Sequence, residues 1–305
     1  MKLYLVSFLL IITPSSFTQM LDNSKGETFS NTPFFNTDFI KKNKVESITG
    51  YYSTKAELSG IKKSKNIYVY QFNQKGELVK EFKTKNNDTL VSQYNYDTNG
   101  NLSQVRKSDK YGFHSYHYTY DSIHRMISQE YRRDINKTKN RIEFELDKSF
   151  YISSESYTYE TTSIGLKKTY YNSKNRIFKT EFSYRDQDGY LLKQDHQLKT
   201  GSGRGLTTYK YGDKGLMTEK LTETQIIGKT TSKMVFEYDQ FENVLAQHYH
   251  RNGVYLTEYQ IIYDDKTMLL SAILTRDVTL NFITILQFTN YTFFGDNSSE
   301  EIKIK

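Results

Sequence analysis

The stretch YNYDTNG, residues 94–100, predicts a strand that runs into a tight turn. Tyr94 and Tyr96 lie two residues apart, so they share one face of a strand. The short Asp97 side chain is suited to accept hydrogen bonds from nearby backbone N–H groups and to start a turn. Gly100 can adopt positive φ at little cost, which ends the turn.

Versions of this phrase return along most of the chain. The turn-initiating positions are Asn73, Asp97, Asp121, Asp147, Asn172, Gly212, Asp239 and Asp264. The intervals between them are 24, 24, 26, 25, 40, 27 and 25 residues, and the longest holds a related segment around Asp186. A sustained period of this length indicates a repeat architecture. Each unit contains two strand-like segments, which predicts consecutive β-hairpins.

Alternation rather than helical periodicity dominates the repeats. Tyr116, Tyr118 and Tyr120 occupy one face of a strand, as Tyr94 and Tyr96 do one repeat earlier. Apolar residues do not recur at helical spacing, and residues 35–45 are the best helical candidate. We predict an all-β protein, an antiparallel meander of repeated β-hairpins that forms one long, twisted or spiralling open sheet.

The two ends of the chain differ from its centre. Residues 1–18 combine a basic start, a short apolar run and small residues before Gln19, which is typical of a signal peptide cleaved near Thr18. We interpret residues 19–43 as a polar leader, 44–275 as the repeat domain, and 276–305 as an apolar capping strand with a polar tail. The segment 278–294 has no formal charge, which fits either a buried final strand or an exposed edge.

The composition limits compartment and partners. The chain has 27 Tyr and 19 Phe but no Cys, which excludes disulfides and a lipid anchor on cysteine. We expect an exported protein, periplasmic or at the cell surface, that is not a lipoprotein. No segment after the signal is long and apolar enough to cross a bilayer, so we predict no transmembrane span.

The charges are interspersed rather than clustered. The net charge of +7 comes without a concentrated basic stripe, so we expect no nucleic-acid partner. Two interpretations of the charges remain open: solvated strand faces, or attraction to anionic glycans or a membrane surface.

The phrase Y-x-Y-D-x-x-G-x-L resembles the YD repeat, also called the RHS repeat. The residues that match it best are Tyr94, Tyr96, Asp97, Gly100 and Leu102. The resemblance covers residues 67–269. It implies hairpins in a spiralling sheet, which in large family members closes a shell around a toxic cargo. About eight units are too few for that shell, and no toxin domain is recognisable, so we do not expect the shell-and-cargo function. The layout is similar to short exported repeat proteins of Bacteroidetes-type bacteria.

Two further copies depart from the family pattern at the glycine. The copy at Tyr118, Tyr120 and Asp121 has His124 in its place. For the copy that begins at Phe236, we assign Asn243 to this position, because asparagine tolerates left-handed geometry.

Residues with catalytic or ligand-binding chemistry are few. His248 and His250 would point to one side of a strand, as a metal site requires, but no third ligand is evident. The glycine-rich segment 201–205 lacks the Lys-Ser/Thr ending of a phosphate loop. The paired acids at 186–189 fall where the repeat places turns. We therefore expect no catalytic, cofactor-binding or metal-binding residue.

Two functions remain. The first is a non-catalytic scaffold or protein-interaction module of the cell envelope. The second is a carbohydrate binder that uses tyrosine faces and basic residues for acidic glycans. The candidate face for a glycan or protein partner consists of Tyr94, Tyr96, Tyr116, Tyr118 and Tyr120.

Overall fold

The computed structural model describes residues 19–30, 32–85 and 88–296 of the 305-residue chain. The predicted signal peptide, residues 1–18, lies outside the described residues. The elements are α1 (Thr37–Lys42), β1 (Val45–Lys55), β2 (Lys62–Phe72), β3 (Leu78–Lys85), β4 (Asp88–Tyr96), β5 (Leu102–Asp109), β6 (Gly112–Tyr120), β7 (Met126–Asn136), β8 (Leu146–Thr162), β9 (Gly165–Asn172), β10 (Ile177–Arg185), β11 (Leu191–Leu198), β12 (Arg204–Tyr211), β13 (Met217–Gln225), β14 (Lys229–Tyr238), β15 (Val244–Arg251), β16 (Val254–Tyr263), β17 (Leu270–Asp277) and β18 (Phe282–Phe293). No helix in the described part of the chain has the length and apolar character that a membrane span requires.

The strands form one antiparallel sheet in chain order, and the sheet closes on itself. Each strand pairs with the next, and β18 also pairs with β1 along almost its whole length. The fold is therefore all-β and antiparallel, but the prediction of an open, spiralling sheet was wrong, because the strands form an 18-stranded barrel. The uncharged segment 278–294 accounts for the closure. It supplies β18, which buries Leu286 and Phe288 between β17 and β1.

The prediction of no transmembrane span was also wrong, because the strands close into a barrel. It considered only long apolar segments of the kind that form helices. A closed barrel is a form in which strands cross a bilayer, because closure pairs the backbone N–H and C=O groups between strands. The lack of a long apolar run therefore excludes nothing for this fold.

The repeated phrase forms the same turn in successive units. Asp97 Oδ1 accepts hydrogen bonds from the N–H groups of Asn99 and Asn101, at 2.9 Å each. The Gly100 N–H donates to the Asp97 carbonyl, and Gly100 has a φ of +81°. Matching pairs of side-chain bonds occur at Asn73, Asp121, Asn172, Asp186 and Asp239. The phrase therefore encodes a turn with its own side-chain acceptor.

Two positions of the repeat were misassigned from the sequence. Asp147 lies within β8 rather than in a turn. The related segment of the long interval does form a turn, which starts at Asp186. In the phrase FEYDQFENV, the positive φ of +72° belongs to Glu242, not to Asn243. Asn243 instead donates its side-chain amide to Asp239.

The second tyrosine of the phrase ties neighbouring strands together at the rim that carries these turns. Tyr96, at the end of β4, donates its hydroxyl to the carbonyl of Leu78, the first residue of β3, at 2.9 Å. Tyr120 makes the equivalent bond to Leu102, the first residue of β5, at 2.8 Å. Matching bonds to the first residues of β7, β11, β13, β15 and β17 come from Tyr159, Tyr211, Tyr238, Tyr263 and Tyr291. The second tyrosine of the phrase therefore links neighbouring strands, and we call these hydroxyl-to-carbonyl bonds the strand ties.

The described part of the leader, residues 19–30 and 32–43, lies inside the barrel. Phe35 packs edge-on against Tyr70 of β2, with ring centroids 4.9 Å apart. Asn23 donates to the hydroxyl of Tyr238 on β14, at 2.9 Å. Since β2 and β14 lie on different parts of the ring, one segment contacts both only from the concave side. We call this side of the strands the inner face.

A separate apolar cluster lies on the outer face, beneath the β7–β8 connection. Its members are Val69, Phe82, Val91 and Phe113. Residues 137–145, which we call the outer flap, fold back over it, with the Phe144 ring 4.6 Å from that of Phe113. The Phe144 ring also covers the Arg106 guanidinium, which pairs with Asp134 at 2.7 Å. The flap thus shields both an apolar cluster and a buried ion pair.

Elsewhere, charged side chains on the outer face pair between neighbouring strands. Lys210 Nζ lies 2.8 Å from Glu219 Oε1, and Lys167 Nζ lies 2.9 Å from Glu160 Oε2. These pairs favour the interpretation of the interspersed charges as solvated strand faces.

Gly100→Val is expected to destabilise the protein by about 1–3 kcal/mol more than Gly100→Asn, because β-branched residues resist positive φ and asparagine tolerates it. A Cβ at Gly100 would lie 3.6 Å from Glu77 Oε1, so backbone conformation and not a clash decides the difference. Urea denaturation of both variants measures this effect. Equal midpoints would contradict the turn's dependence on a left-handed residue.

Candidate functional site

A cavity of about 390 Å³ lies inside the barrel, between the leader and strands β1–β5 and β16–β18. Small-molecule sites typically measure about 300–1,000 Å³. The charged residues of the lining are Glu81, Lys83 and Lys107, and its other residues are aromatic, aliphatic or hydroxyl-bearing. Aromatic and aliphatic walls with a few charged and hydroxyl groups are the usual form of a binding site.

Aromatic rings form two walls of this cavity. Tyr68 and Tyr70 are two residues apart on β2, with near-parallel rings 4.5 Å apart between centroids. Tyr52, on the adjacent β1, stacks on Tyr68 with a centroid distance of 6.4 Å. On the leader side, Phe29 stacks on Tyr259 at 5.0 Å. These rings offer flat apolar surfaces, and the tyrosines add polar tips.

One carboxylate joins two tyrosines at the cavity. Glu81 lies opposite Tyr70 on β3, and it accepts hydrogen bonds from the hydroxyls of Tyr68, at 2.8 Å, and Tyr94, at 2.9 Å. Burial, reinforced by the charge of Glu81, raises the pKa of Tyr52 to about 12, and burial also raises the pKa of Tyr68. These tyrosines therefore remain protonated donors at neutral pH.

Two lysines add positive charge to the same space. Lys83 is directly opposite Tyr68, with its Nζ 5.5 Å from the ring centroid. Lys107 lies opposite Ser92 on β4, and burial lowers the pKa of Lys107 although the charge of Glu81 opposes this shift. The lining carries one more basic than acidic side chain. Its charge favours an anionic or a hydroxyl-rich ligand over a cation.

A second group of tyrosines and charged residues lies on the inner face of β8–β10. Lys168 Nζ is 4.0 Å from the Tyr157 ring centroid and 4.6 Å from that of Tyr170. Lys179 Nζ lies 3.7 Å from the Tyr170 centroid and 3.7 Å from a carboxylate oxygen of Glu181. The chain's own lysines cover these ring faces. We therefore regard this group as structural and the cavity as the candidate site.

The five tyrosines selected from the sequence lie on the inner face. Tyr94 and Tyr116 both oppose Val105, and strand alternation places Tyr96, Tyr118 and Tyr120 on the same face. None of the five is among the residues that line the cavity, although Tyr94 donates a hydrogen bond to Glu81 of its wall. The hydroxyls of Tyr96 and Tyr120 are engaged in the strand ties.

The site residues chosen from the sequence include none of the polar and aromatic residues that line the cavity. The segment YVYQF, residues 68–72, carries the same Tyr-x-Tyr signal as the opening phrase. Glu81 and Lys83 alternate in LVKEFKTK, so they share a face, but neither the spacing nor the residue types reveal that this face is enclosed.

The histidine pair is engaged with neighbouring side chains. His248 Nδ1 lies 2.7 Å from the Tyr255 hydroxyl and its Nε2 lies 3.0 Å from Glu237, while the His250 ring stacks on Tyr255. Within residues 19–30, 32–85 and 88–296, no three His, Cys, Asp or Glu side chains form a group that could hold a metal ion. The acids at 186–189 form a turn of the repeat type.

Comparison with known proteins finds no matching family model and no matching curated protein. Among solved structures, the chain is similar to a porin-like protein from Bacteroides uniformis ATCC 8492, with 10% identity and a TM-score of 0.36, over 82% of this chain and 97% of that one. A porin-like protein from Bacteroides vulgatus ATCC 8482 has 9% identity and a TM-score of 0.32, over 78% and 97%. The structure of TcdB2-TccC3-Cdc42 has 14% identity and a TM-score of 0.28, over 70% of this chain and 13% of that one. Similarities this weak carry no argument about function, and the YD-repeat resemblance stays a prediction.

Proposed function

We propose that the protein is a non-catalytic binding barrel of the cell envelope, which holds a carbohydrate, preferably an acidic one, in its inner cavity. The observation that carries the proposal is the combination of stacked tyrosines, the Glu81 carboxylate and Lys83 in one cavity. The rings supply flat contact area, Glu81 is an acceptor for ligand hydroxyls, and Lys83 can pair with an acidic group.

Export to the envelope is part of the same proposal. The signal-like residues 1–18 and the absence of cysteine support export without a lipid anchor. N-terminal sequencing of the exported chain tests this, with Gln19 as the expected first residue. An intact Met1 on a cytoplasmic pool would contradict it.

A glycan array probed with the mature protein tests ligand binding, and calorimetry on the best ligand tests the cavity. Tyr52→Leu is expected to weaken binding about tenfold, because it removes one stacked ring, a contribution near 1.4 kcal/mol. Tyr111→Leu is the matched control, since Tyr111 is 75% exposed on a turn and is not among the residues that line the cavity. Equal affinities of the two variants would rule out the cavity as the binding site.

The same ligand set tests the preference for acidic sugars. Lys83→Gln should weaken binding of an acidic glycan and leave its neutral counterpart unchanged, because the substitution removes charge while keeping a polar side chain. Equal losses for both glycans would count against charge recognition.

The second candidate function is a scaffold for envelope proteins. The strand ties favour it, because they commit many tyrosines to holding the barrel together. Failure of the wild-type protein to retain any glycan on the array would leave the scaffold as the better account.

A further inference from the structure

A second cavity, of about 540 Å³, lies inside the barrel between the leader and strands β13–β16. It shares Phe29, Ser30 and Tyr259 with the cavity of the candidate site. The two cavities therefore adjoin at the Phe29–Tyr259 stack, and a ligand longer than one ring can extend from the first into the second. Ser30 is exposed, which places an entrance from the solvent beside both cavities.

One buried side chain of the second cavity lacks hydrogen-bond partners of ordinary strength. Gln247, on β15, is 4% exposed and lies opposite Phe236 and Tyr259 of the adjacent strands. Its Nε2 lies 3.9 Å from the sulfur of Met234, which is a weak acceptor. Its Oε1 has no hydrogen-bond partner in the described ranges of the chain. Exchanging the two ends of the amide provides no partner for the end that lies away from the sulfur.

This arrangement of Gln247 costs stability, because the amide has lost its hydrogen bonds to water without gaining equivalent bonds in the protein. Buried polar groups without partners are rare in folded proteins, and each one calls for an explanation. Local features that lower stability are expected at functional sites. Because Gln247 lines the second cavity, a group within that cavity can supply the missing hydrogen bonds.

We propose that the second cavity binds a neutral sugar unit through the Gln247 amide, so that the ligand of the barrel is an oligosaccharide with its acidic unit in the first cavity. This inference rests on the proposed carbohydrate function. Neighbouring hydroxyls of a sugar ring offer a donor and an acceptor side by side, as the amide does. One hydroxyl donates to Oε1 of Gln247, and the next accepts from its Nε2.

The other residues of the lining suit an uncharged sugar. Tyr249 and Tyr259 offer ring surface to the carbon atoms of a sugar. The charged residues of the lining are Glu27 and Lys220, one acidic and one basic, so their charges balance. The lining of the first cavity has one more basic than acidic side chain. The two cavities therefore differ in the charge that they favour.

Thermal denaturation tests the state of Gln247 without any ligand. Gln247→Met is expected to raise the melting temperature by about 2 °C, because it replaces an unpaired buried amide by an apolar side chain of similar volume. Gln194→Met is the matched control and should lower the melting temperature, since Gln194 Oε1 accepts a hydrogen bond from the Tyr209 hydroxyl at 2.5 Å. A loss at Gln247→Met as large as that at Gln194→Met would overturn the proposal, because it would show that the Gln247 amide is already bonded.

Calorimetry tests the subsite with two probes: glucuronic acid, and oligosaccharides of two to six units that alternate glucuronic acid with a neutral sugar. The wild-type protein should bind the oligosaccharides at least about tenfold more tightly than glucuronic acid, and Gln247→Met should remove most of this gain. Lys83→Gln should instead weaken the binding of both probes.

The outcomes separate the subsite from the proposed function on which it rests. If Tyr52→Leu weakens oligosaccharide binding but Gln247→Met does not, the subsite is wrong and the first cavity remains the binding site. The same holds if the wild-type protein binds the oligosaccharides no more tightly than glucuronic acid. A wild-type protein that binds neither probe and retains no glycan on the array overturns the carbohydrate function and the subsite together.

Discussion

Gly76→Ala is expected to lower the free energy of unfolding by about 3 kcal/mol or more. Gly76 has a φ of +85° in the β2–β3 turn. A Cβ there would overlap the Thr37 carbonyl and would lie 2.8 Å from the backbone nitrogen of Lys41. Both atoms belong to the backbone of α1, so no side-chain rotation relieves the overlap. The helix must move away from the turn.

Gly100→Ala is the matched control, because it occupies the same turn position with a φ of +81° but has no helix above it. Its expected cost is about 1–2 kcal/mol, the strain of a left-handed alanine. Guanidinium denaturation compares the two variants, and limited proteolysis reports whether the leader of Gly76→Ala becomes accessible. Similar losses would show that α1 does not depend on this close approach.

Asp134→Ala is expected to destabilise the protein by about 3–5 kcal/mol, because it leaves the Arg106 guanidinium buried without its partner. Asp134 is 2% exposed and Arg106 is 8% exposed. Asp134 also accepts a hydrogen bond from the Ser149 hydroxyl at 2.6 Å, so its loss leaves a second group unsatisfied. Thermal and urea denaturation of the variant measure the effect.

Two further variants make this prediction specific. Glu145→Ala breaks the exposed pair with Lys137 on the outer flap, and it should cost less than about 1 kcal/mol. Replacing both Arg106 and Asp134 by leucine should recover much of the loss, because no unpaired charge remains. A double variant no more stable than Asp134→Ala would show that the buried charge is not the cause.

The Arg106–Asp134 pair predicts that the stability of the protein depends on pH. Burial alone would raise the pKa of Asp134, but hydrogen bonds from Ser149 and Arg106 outweigh it and hold the pKa below its usual value. The resulting stabilisation is fully present above the unfolded-state pKa, about 3.9, and is lost as the pH falls through the lower folded-state pKa. Asp134→Asn should therefore flatten the acid limb of the stability curve. An unchanged acid limb would contradict the assignment.

The strand ends and turns of this fold could be predicted, because residues close together in the sequence determine them. Tyr96, Asp97 and Gly100 specify a strand end and a turn within a few residues. Closure could not be predicted, because it depends on contacts such as Ile48 with Tyr291, at opposite ends of the chain. The repeat period also predicted a turn at Asp147, which was wrong, because β8 continues through this position.

The candidate site was harder to predict than the turns. Alternation identifies the residues that share a face with Tyr68, but it does not identify which face is enclosed. That depends on the leader, whose polar composition gave no sign that Phe34 and Phe35 are buried inside the barrel. The position of Glu81 in the cavity could not be predicted for the same reason, since an acidic residue on an alternating strand usually faces water.

The pairing of β1 with β18 has a consequence for the order of folding. The other strand pairings join sequence neighbours, so each closes a short loop at small entropic cost. The β1–β18 pairing joins strands from opposite ends of the chain, and it cannot form before β18 has been synthesised. Until then the nascent sheet has two bare edges around a partly covered leader, a species prone to aggregation. High contact order makes this final step slow. The yield of folded protein should therefore depend on chaperones that shield this intermediate more than on the stability of the finished barrel.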